Sequence, residues 1–403
     1  MRIMSVETSC DETGIAILRS VEDSIVLEGN ALASQIDLHA QYGGVFPAMA
    51  KRAHAQKIVP LITDALEQAD LLIGHESAAG TAAREAIVSL CSHEEEMVDD
   101  LVTLFNTYQK PDIDYIAVTV GPGLEPALWV GINTAKVLSA IWNIPVVPVN
   151  HMEGHVVTAA VTETDGKKYV FQELQFPLLA LLVSGGHTEL VLTNSYGDYK
   201  KIGQTRDDAV GEAFDKVARM LGLPYPGGPA VSKLAKQFRE SGAVQQFEMP
   251  RPMLHSGDYD FSFSGIKTAM LYTIRDLVKD RINDAETSSA EALSAEEKSV
   301  LACAFEDAVV EVIIKKTLRA AEEFHIQTVV VGGGVAGNFF LREQLAIATK
   351  PLGITVLFPE PWLATDNAVM IGLAAFARLH SGTFTTQPFE SLKANGNLSI
   401  ETK

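Results

Sequence analysis

The chain has 403 residues, 47% of them hydrophobic and 21% charged, a composition typical of a globular protein with room for two domain-sized cores. It has no run of about 20 apolar residues, which argues against a membrane-spanning protein. The formal net charge of −19 argues against a protein that coats nucleic acid, because phosphate binding requires clustered Lys and Arg.

Three successive strands are predicted at the start of the chain, at Ile3–Val6, Ile15–Leu18 and Ile25–Ala33. Buried strands then alternate with helices, as expected for an α/β unit. These further elements are a helix at Ala53–Ala69, a strand at Tyr115–Val120, a helix at Ala127–Trp142 and a strand at Val146–Val149.

The second half of the chain repeats the opening pattern. Strands are predicted at Leu178–Val183 and His187–Thr193, and the strings "IMSVETSCDETGIAIL" and "LLALLVSGGHTELVLT" share one plan of strand, small polar turn and strand. We interpret this as a weak internal duplication. A further strand at Thr328–Val331 leads through Gly332–Gly334 into a helix from about Asn338. The order of elements predicts two similar α/β halves that face a cleft, over residues 1–145 and 146–403.

Two acidic stretches interrupt this pattern, Gly74–Asp100 and Asp280–Lys298. We expect surface insertions with solvated charge, helical in part or mobile. The first corresponds to an insertion at about 72–110 in the first half. The second belongs to a helical insertion at about 207–300, and the last helix of the chain is a candidate to pack back on the first half.

The cysteines and the start of the chain bear on the compartment. Cys10, Cys91 and Cys303 are widely spaced and odd in number, which argues against a disulfide framework and for a reducing environment. The apolar run Ile3–Val6 begins almost at once, so we expect no leader peptide and a cytoplasmic location.

Gly332, Gly334 and Gly337 match the spacing G-x-G-x-x-G after a strand and before a helix, and Glu360 stands where a dinucleotide fold keeps its ribose-binding acid. Too few residues follow Glu360 for the second half of a dinucleotide fold. A mononucleotide whose phosphate or ribose faces the helix N-terminus is the simpler interpretation. A tight turn with no ligand is the alternative.

Two turns at equivalent places carry opposite chemistry. "SGGHT" (Ser184–Thr188) has paired glycines and hydroxyls that suit a phosphate, although a plain hairpin turn has the same composition. "ETSCDET" (Glu7–Thr13) carries Asp11 and Glu12, which would face that turn across the cleft and hold a metal or orient a nucleophile. A solvated turn explains these acids equally well.

His151 and His155 in "HMEGH" are four residues apart, so a helix places both imidazoles on one face, where they can share a metal ion. Histidines on a helix surface are the alternative. The zincin motif H-E-x-x-H is absent, because Glu153 is displaced from the position of the protease base. Asp366 in "TDNAVM" stands at the start of an apolar helix, either as a helix cap or as a third metal ligand.

Taken together, these motifs resemble the TsaD family of tRNA N6-adenosine threonylcarbamoyltransferases, relatives of the catalytic KEOPS subunit. The matching strings occur in family order from residue 7 to about 372. They are "ETSCDET", "YGGVFPAMAKRAH", "GPGLEPALWVG", "VNHMEGH", "LLVSGGHTEL", "GEAFDKVARMLGLPYPGGP", "DFSFSGIKTA", "VVVGGGVAGN" and "TDNAVM". Ala336 and Gly337 depart from the commoner "SA", and the acidic insertions are long.

The resemblance implies the actin–Hsp70–sugar kinase (ASKHA) fold and transfer of threonylcarbamoyl from threonylcarbamoyl-AMP to N6 of adenosine 37 in tRNA. It implies one divalent metal, Fe²⁺ in preference to Zn²⁺, at His151, His155 and Asp366. Asp11 and Glu12 are the candidate catalytic acids, of which either could receive the N6 proton. The expected donor-binding residues are Leu182, Val183, Ser184, Gly185, Gly186, Asp215, Gly228 and Asn338.

The resemblance also implies partners. The tRNA anticodon loop is the acceptor, with TsaB-like and TsaE-like proteins in a bacterial system or a homodimer in an organelle. Lys51, Arg52 and Lys57 are the nearest candidates for contact with RNA phosphates in an acidic chain. Three rival functions stay open: a sugar or acetate kinase, a metallopeptidase, and an actin-like or Hsp70-like assembly protein.

Overall fold

The computed structural model describes residues 1–75, 82–281 and 289–402. The strands of this part are β1 (Arg2–Glu7), β2 (Glu12–Val21), β3 (Ser24–Ser34), β4 (Tyr115–Gly121), β5 (Val146–Asn150), β6 (Val161–Thr164), β7 (Lys168–Phe171), β8 (Leu178–Val183), β9 (Thr188–Ser195), β10 (Asp198–Gln204), β11 (Thr328–Gly332) and β12 (Thr355–Leu357). Its α-helices are α1 (Ile36–Ala40), α2 (Pro47–Gln68), α3 (Ala82–Leu90), α4 (Val98–Thr107), α5 (Glu125–Trp142), α6 (His151–Thr158), α7 (Val210–Met220), α8 (Gly227–Ser241), α9 (Ser264–Val278), α10 (Ala295–Glu323), α11 (Phe339–Thr349) and α12 (Ala368–His380).

The strands form two mixed sheets, which confirms an α/β fold. The first has the order β5-β4-β1-β2-β3-β7-β6 and the second the order β10-β9-β8-β11-β12. In each sheet an antiparallel hairpin (β1–β2 or β8–β9) is joined along its first strand by a parallel strand, β4 or β11. The shared order β5-β4-β1-β2-β3 and β12-β11-β8-β9-β10 is the pattern expected of a duplicated α/β unit.

The chain divides into two compact units. The first comprises Met1–Glu173, Ser195–Asp198 and Glu360–Lys403, and the second comprises Leu174–Asn194 and Tyr199–Pro359. The expected boundary at 145/146 differs from this division, because β5, which follows it, pairs with β4 in the first sheet. Helix α12 is the last helix of the chain and was expected to pack back on the first half. It belongs to the first unit and packs on β1 and β2.

The first acidic stretch packs one apolar side into the core of the first unit. Helices α3 and α4 bury Ile87, Leu101, Leu104 and Phe105. The expected solvated charge is found on the other side, where the acids Glu85, Glu95, Glu96, Asp99 and Asp100 are exposed. Apolar side chains recur on one face of α4 because three to four residues make one helical turn. Residues 76–81 of the stretch lie outside the described residues.

One acid of this stretch is itself buried. The Glu94 side chain accepts a hydrogen bond from Asn133 Nδ2 (2.7 Å) on α5 and pairs with Lys51 Nζ (3.0 Å) on α2. Glu94 therefore ties the acidic segment to two helices, and part of the negative charge is not on the surface.

Helices α7 to α10 build most of the second unit and occupy the predicted helical insertion at 207–300. Their core contains Phe261, Phe263 and Phe305, all fully buried. In the second acidic stretch, residues 282–288 lie outside the described part, and Ser294 begins α10 with a capping box to Glu297. No helix that the structure describes is long and apolar enough to cross a membrane.

Candidate active site

Two helices of the first unit carry the predicted metal ligands. Strand β5 ends at Asn150, whose side-chain oxygen accepts a hydrogen bond from the N–H of Met152 (2.9 Å) and so caps α6. Helix α6 then places His151 and His155 one turn apart, with ring centroids 4.8 Å apart. The helical spacing thus places both imidazoles on one face.

Asp366 lies just before α12, but the N-cap of this helix is the next residue, Asn367. Asn367 Oδ1 accepts a hydrogen bond from the N–H of Met370 (2.9 Å), so Asp366 is not needed to cap this helix. Asp366 Oδ1 lies 3.4 Å from His151 Nε2 and 3.2 Å from His155 Nε2. One ligand atom from each of the three residues lies within 4.8 Å of the others. The structure thus brings the predicted triad together.

The geometry of His155 fits a cation. This side chain is fully buried, and neither ring nitrogen forms a hydrogen bond with any residue that the structure describes. Nε2 is close to Asp366 Oδ1 but not aligned with it as a hydrogen-bond donor, as expected when both atoms converge on a common centre. An unpartnered buried imidazole costs free energy that a bound cation would recover. Two imidazoles and a carboxylate suit Zn²⁺ or Fe²⁺.

Glu7, at the end of β1, supports this triad and escaped the sequence analysis as a site residue. Its Oε2 lies 3.2 Å from His151 Nδ1 and accepts a hydrogen bond from Thr119 Oγ1 (2.5 Å), and the Ser9 hydroxyl is 3.1 Å from the same Nδ1. A carboxylate on the outer nitrogen orients a ligand histidine and makes it a stronger base. Its position in "ETSCDET", directly after a buried strand, is the signal that could have found it.

The electrostatics of the cluster are dominated by opposite charges at short range. Burial opposes ionisation of Glu7 and of Asp366, but attraction to His151 outweighs it and lowers the pKa of both carboxyls. Burial likewise opposes a charged His151, yet Asp366 and Glu7 raise the pKa of His151 well above its usual range. In the cation-free arrangement the imidazole thus holds a proton where a cation would bind.

Glu153, which stands between the two histidines, faces away from them. It is fully buried and forms an ion pair with Arg378 of α12, which also donates a hydrogen bond to the carbonyl of Pro148 (3.0 Å). At Gly154 the two helices approach so closely that a Cβ atom would lie 2.9 Å from Met370 Cγ. The helices that carry the triad are therefore fastened to each other by a buried ion pair and a close contact.

The two candidate acids follow the same strand. Asp11 is buried in the turn after β1, and Glu12 begins β2 with its Oε1 accepting a hydrogen bond from Ser34 Oγ (3.3 Å). Burial, then repulsion from Asp366 and Asp11, raises the pKa of Glu12 to about 10. These three carboxyl groups thus interact, and a nearby cation would relieve their repulsion.

The predicted donor residues lie in the second unit, on turns with open space. In the β8–β9 turn the Ser184 N–H donates to the carbonyl of His187 (2.8 Å), and Ser184 Oγ accepts from the His187 N–H (3.0 Å). Gly185 and Gly186 are exposed, and a Cβ atom on either would meet nothing within 4 Å. Leu182 and Val183 have fully buried side chains, so only their backbone could meet a ligand.

Other turns of this unit gather beside the first. Asp215 Oδ1 of α7 accepts a hydrogen bond from the N–H of Gly227 (2.7 Å), which brings the start of α8 and Gly228 alongside. Gly333, with φ of 93°, rests against the backbone of Val183, where no Cβ atom would fit. Gly228 resembles Gly185 in that a Cβ atom would meet nothing within 4 Å.

The side chain of Asn338 is occupied by protein groups. Its Oδ1 caps α11 by accepting from the N–H of Leu341 (2.8 Å), while its Nδ2 donates to Ser232 Oγ (2.9 Å) and Glu306 Oε1 (2.8 Å). Asn338 thus holds the Gly332–Gly337 turn in place between α8 and α10.

The predicted basic cluster does not form one patch. Lys51 is engaged with Glu94 and with the carbonyl of His93 (2.7 Å). Arg52 and Lys57 are exposed but, being five residues apart on α2, point about 140° apart. The dinucleotide interpretation also weakens, because β12 ends at Leu357 and Glu360 lies beyond the strand, in the first unit.

Known proteins are similar to this chain over most of its length. A sequence profile of TsaD, described as tRNA N6-adenosine threonylcarbamoyltransferase, matches residues 26–78 and 92–373. The protein of that name from Ralstonia pickettii is 41% identical over 381 residues, which are 94% of this chain and 92% of that protein. The one from Nitrosospira multiformis is 37% identical over 401 residues, covering 100% of this chain and 98% of that protein.

A solved structure supports the fold. The crystal structure of full-length HypF in the phosphate- and nucleotide-bound form matches with a TM-score of 0.51 at 12% identity. The match covers 95% of this chain but 47% of HypF, so this chain spans about half the length of that protein, and the likeness concerns the fold alone. On the evidence of the profile and the curated relatives, the chain belongs to the TsaD family of tRNA N6-adenosine threonylcarbamoyltransferases.

Proposed function

We propose that this protein transfers the threonylcarbamoyl group from threonylcarbamoyl-AMP to N6 of adenosine 37 in tRNAs that read codons starting with adenine, with release of AMP. The observation that carries the proposal is the buried convergence of His151, His155 and Asp366 in a chain whose relatives bear this activity as their name. The fold that fits this activity is the actin–Hsp70–sugar kinase fold, and the repeated strand order supports it.

The proposed metal is one divalent ion, Fe²⁺ in preference to Zn²⁺, held by His151, His155 and Asp366. When bound, such an ion supplies Lewis acidity to the oxygens of the threonylcarbamoyl group. Glu7 and Ser9 orient His151 through its other ring nitrogen, and the Glu153–Arg378 pair keeps both ligand-bearing helices in place.

The donor is a mixed anhydride, so its carbamoyl carbon is already electrophilic and AMP is a good leaving group. Catalysis then depends on positioning and on stabilising charge. We assign the adenylate to the open turn of Ser184, Gly185 and Gly186, where backbone N–H groups can approach a phosphate. Asp215, Gly228 and Asn338 would contact the nucleoside, and Asn338 also holds the neighbouring turn.

The attacking N6 must lose a proton. We propose that either Asp11 or Glu12 receives this proton, because both carboxyl groups lie next to each other after β1.

We further propose a cytoplasmic enzyme that works with TsaB-like and TsaE-like partners in the bacterial case. A homodimer is the organellar alternative. The net charge of −19 supports a need for help in holding a polyanion, because it repels RNA phosphates at long range.

The deciding experiment measures AMP release from synthetic threonylcarbamoyl-AMP with and without tRNA, and locates the product on the RNA. We expect AMP release to be coupled to modification of adenosine 37, and to be lost in Asp366→Asn. Phosphorylation of a sugar or acetate by ATP, or cleavage of a peptide, would instead establish a rival activity. Calorimetry with AMP, ATP and NAD provides a control, because tight binding of NAD alone would restore the dinucleotide interpretation.

A further inference from the structure

Two large aromatic side chains stand exposed on the connection between α1 and α2. Tyr42 is 51% exposed and Phe46 is 48% exposed, and their rings meet edge to face with centroids 5.2 Å apart. Gly43 and Gly44, both at positive φ, form the tight turn between them. Neighbouring exposed aromatic rings are typical of binding surfaces, because covering hydrophobic area that is exposed to water lowers the free energy.

The connection is held firmly beside the turn that carries Asp11. The Phe46 N–H donates to His39 Nδ1 (3.5 Å), and His39 Nε2 donates to Gln35 Oε1 (3.1 Å). The Gln35 N–H in turn donates to the carbonyl of Asp11 (2.9 Å). His39 is fully buried, so this chain of hydrogen bonds connects the backbone of Phe46 with that of Asp11, the candidate catalytic acid.

Two local features suit the phosphates of RNA. Helix α2 starts at Pro47 with no acidic residue in its first turn and no side-chain cap, so the positive end of its dipole lies next to Phe46. Arg52, exposed in its second turn, adds a cation. At a net charge of −19, however, phosphate contacts alone give little affinity, and stacking on the faces of bases would add affinity that does not come from charge.

We propose that Tyr42 and Phe46 form a stacking surface for bases of the tRNA anticodon loop next to the target adenine. Bases that stack on these rings leave the adenine unstacked and directed towards the Asp11 turn. This inference rests on the proposed function, because it takes tRNA as the acceptor.

The test uses the full chain and an anticodon stem–loop RNA that carries 2-aminopurine beside the target adenosine. Stacking on Tyr42 or Phe46 should quench the fluorescence of this base. The double change Tyr42→Ala and Phe46→Ala should abolish quenching and raise the Kd for RNA about tenfold or more. It should leave AMP binding and the salt dependence of RNA binding unchanged, because no phosphate contact is lost. Tyr42→Phe and Phe46→Tyr should restore both quenching and affinity.

Tyr272→Ala on α9 is the matched control, since Tyr272 is 59% exposed and lies in the second unit. If the Phe46→Ala variant does not fold, Phe46→Leu is used in its place. A double variant with wild-type Kd and quenching would overturn the inference. A double variant that binds RNA normally but fails to modify tRNA in the presence of the partner proteins would also overturn it, because the rings would then bind a protein. Failure of the wild-type chain, with its partners, to modify tRNA would instead refute the proposed function.

Discussion

The histidine–aspartate cluster of the first unit and the glycine turns of the second are built in opposite ways. His155 is fully buried, and its neighbours are held by an ion pair, two capped helices and the carboxylate of Glu7. Gly185 and Gly186 are exposed, with free space where a side chain would be. The histidine–aspartate cluster holds its side chains in place before any ligand binds. The glycine turns instead expose backbone N–H groups to a ligand.

This difference suits two kinds of ligand. A cation requires a few oxygen and nitrogen atoms at set distances, so its ligands must be held by surrounding contacts. An adenylate is large and offers a phosphate that backbone N–H groups can meet, so it requires room. Substitutions should therefore affect folding and metal binding together in the first region, and ligand affinity alone in the second.

The largest effect is expected from Asp366→Asn, which keeps the size of the side chain but removes its charge. Metal affinity should fall by about 1,000-fold or more, beyond the 10–100-fold loss typical when a group that merely supports a ligand is removed. Metal analysis after dialysis measures this, with Asp23→Asn on the surface as the matched control. Full metal occupancy in Asp366→Asn would contradict the site.

A second prediction concerns the fastening of α6 to α12. Arg378→Met leaves the carboxylate of Glu153 buried without its partner, which should lower the free energy of unfolding by roughly 3–5 kcal/mol. Denaturant unfolding of the metal-free protein measures the change. Adding Glu153→Gln should recover much of it, and a double variant no more stable than Arg378→Met would show that the buried charge is not the cause.

A third prediction separates folding from binding in the second unit. Gly186→Ala should leave stability within about 0.5 kcal/mol of wild type, since the new methyl group meets no protein atom. The same methyl group should lower AMP affinity about tenfold by obstructing close approach of the phosphate to the backbone. Gly257→Ala, with equally open surroundings, is the control in calorimetry. Equal AMP affinity in both variants would place the phosphate elsewhere.

The last prediction concerns a pH dependence in the metal-free protein. The pKa of Glu12 is about 10 in the folded state against an ordinary value of 4.5, so above pH 4.5 the unfolded chain loses a proton that the folded protein keeps. Stability is thus lost as the pH rises from 5 towards 10. Glu12→Gln should therefore raise the melting temperature by a few degrees more at pH 8 than at pH 5. Added metal should reduce this difference, and a gain that shrinks with rising pH would show that Glu12 ionises normally.

Much of the cluster could be predicted from local spacing. His151 and His155 share a helix face because they are four residues apart, and that needs no tertiary information. The supporting residues could not be found this way, since Glu7 reaches His151 and Arg378 reaches Glu153 only after distant strands and helices have packed. For Asp366 the sequence left two roles open, a helix cap or a metal ligand. Only the structure shows that Asn367 supplies the cap.

The fold was predictable to a similar degree. The two strand–turn–strand strings indicated a duplication, and the common strand order of the sheets agrees with it. In the acidic stretch the exposed charges were predicted correctly, but the apolar side that packs into the core was missed. Leu101, Leu104 and Phe105 follow helical spacing and were visible in the sequence. Lys51 was expected on the surface because nothing local indicates that Glu94 is buried beside it.

Helix α4 also limits how far this protein can be shortened or tagged. Phe105 meets Trp142 of α5 edge to face, with ring centroids 5.2 Å apart, and only a small fraction of either ring reaches water. Removing residues 98–107 would expose Trp142 and its apolar neighbours as a hydrophobic patch on an otherwise highly charged protein. A trimmed version designed from charge alone would therefore be expected to aggregate on expression, whereas one that retains α4 would keep this face closed.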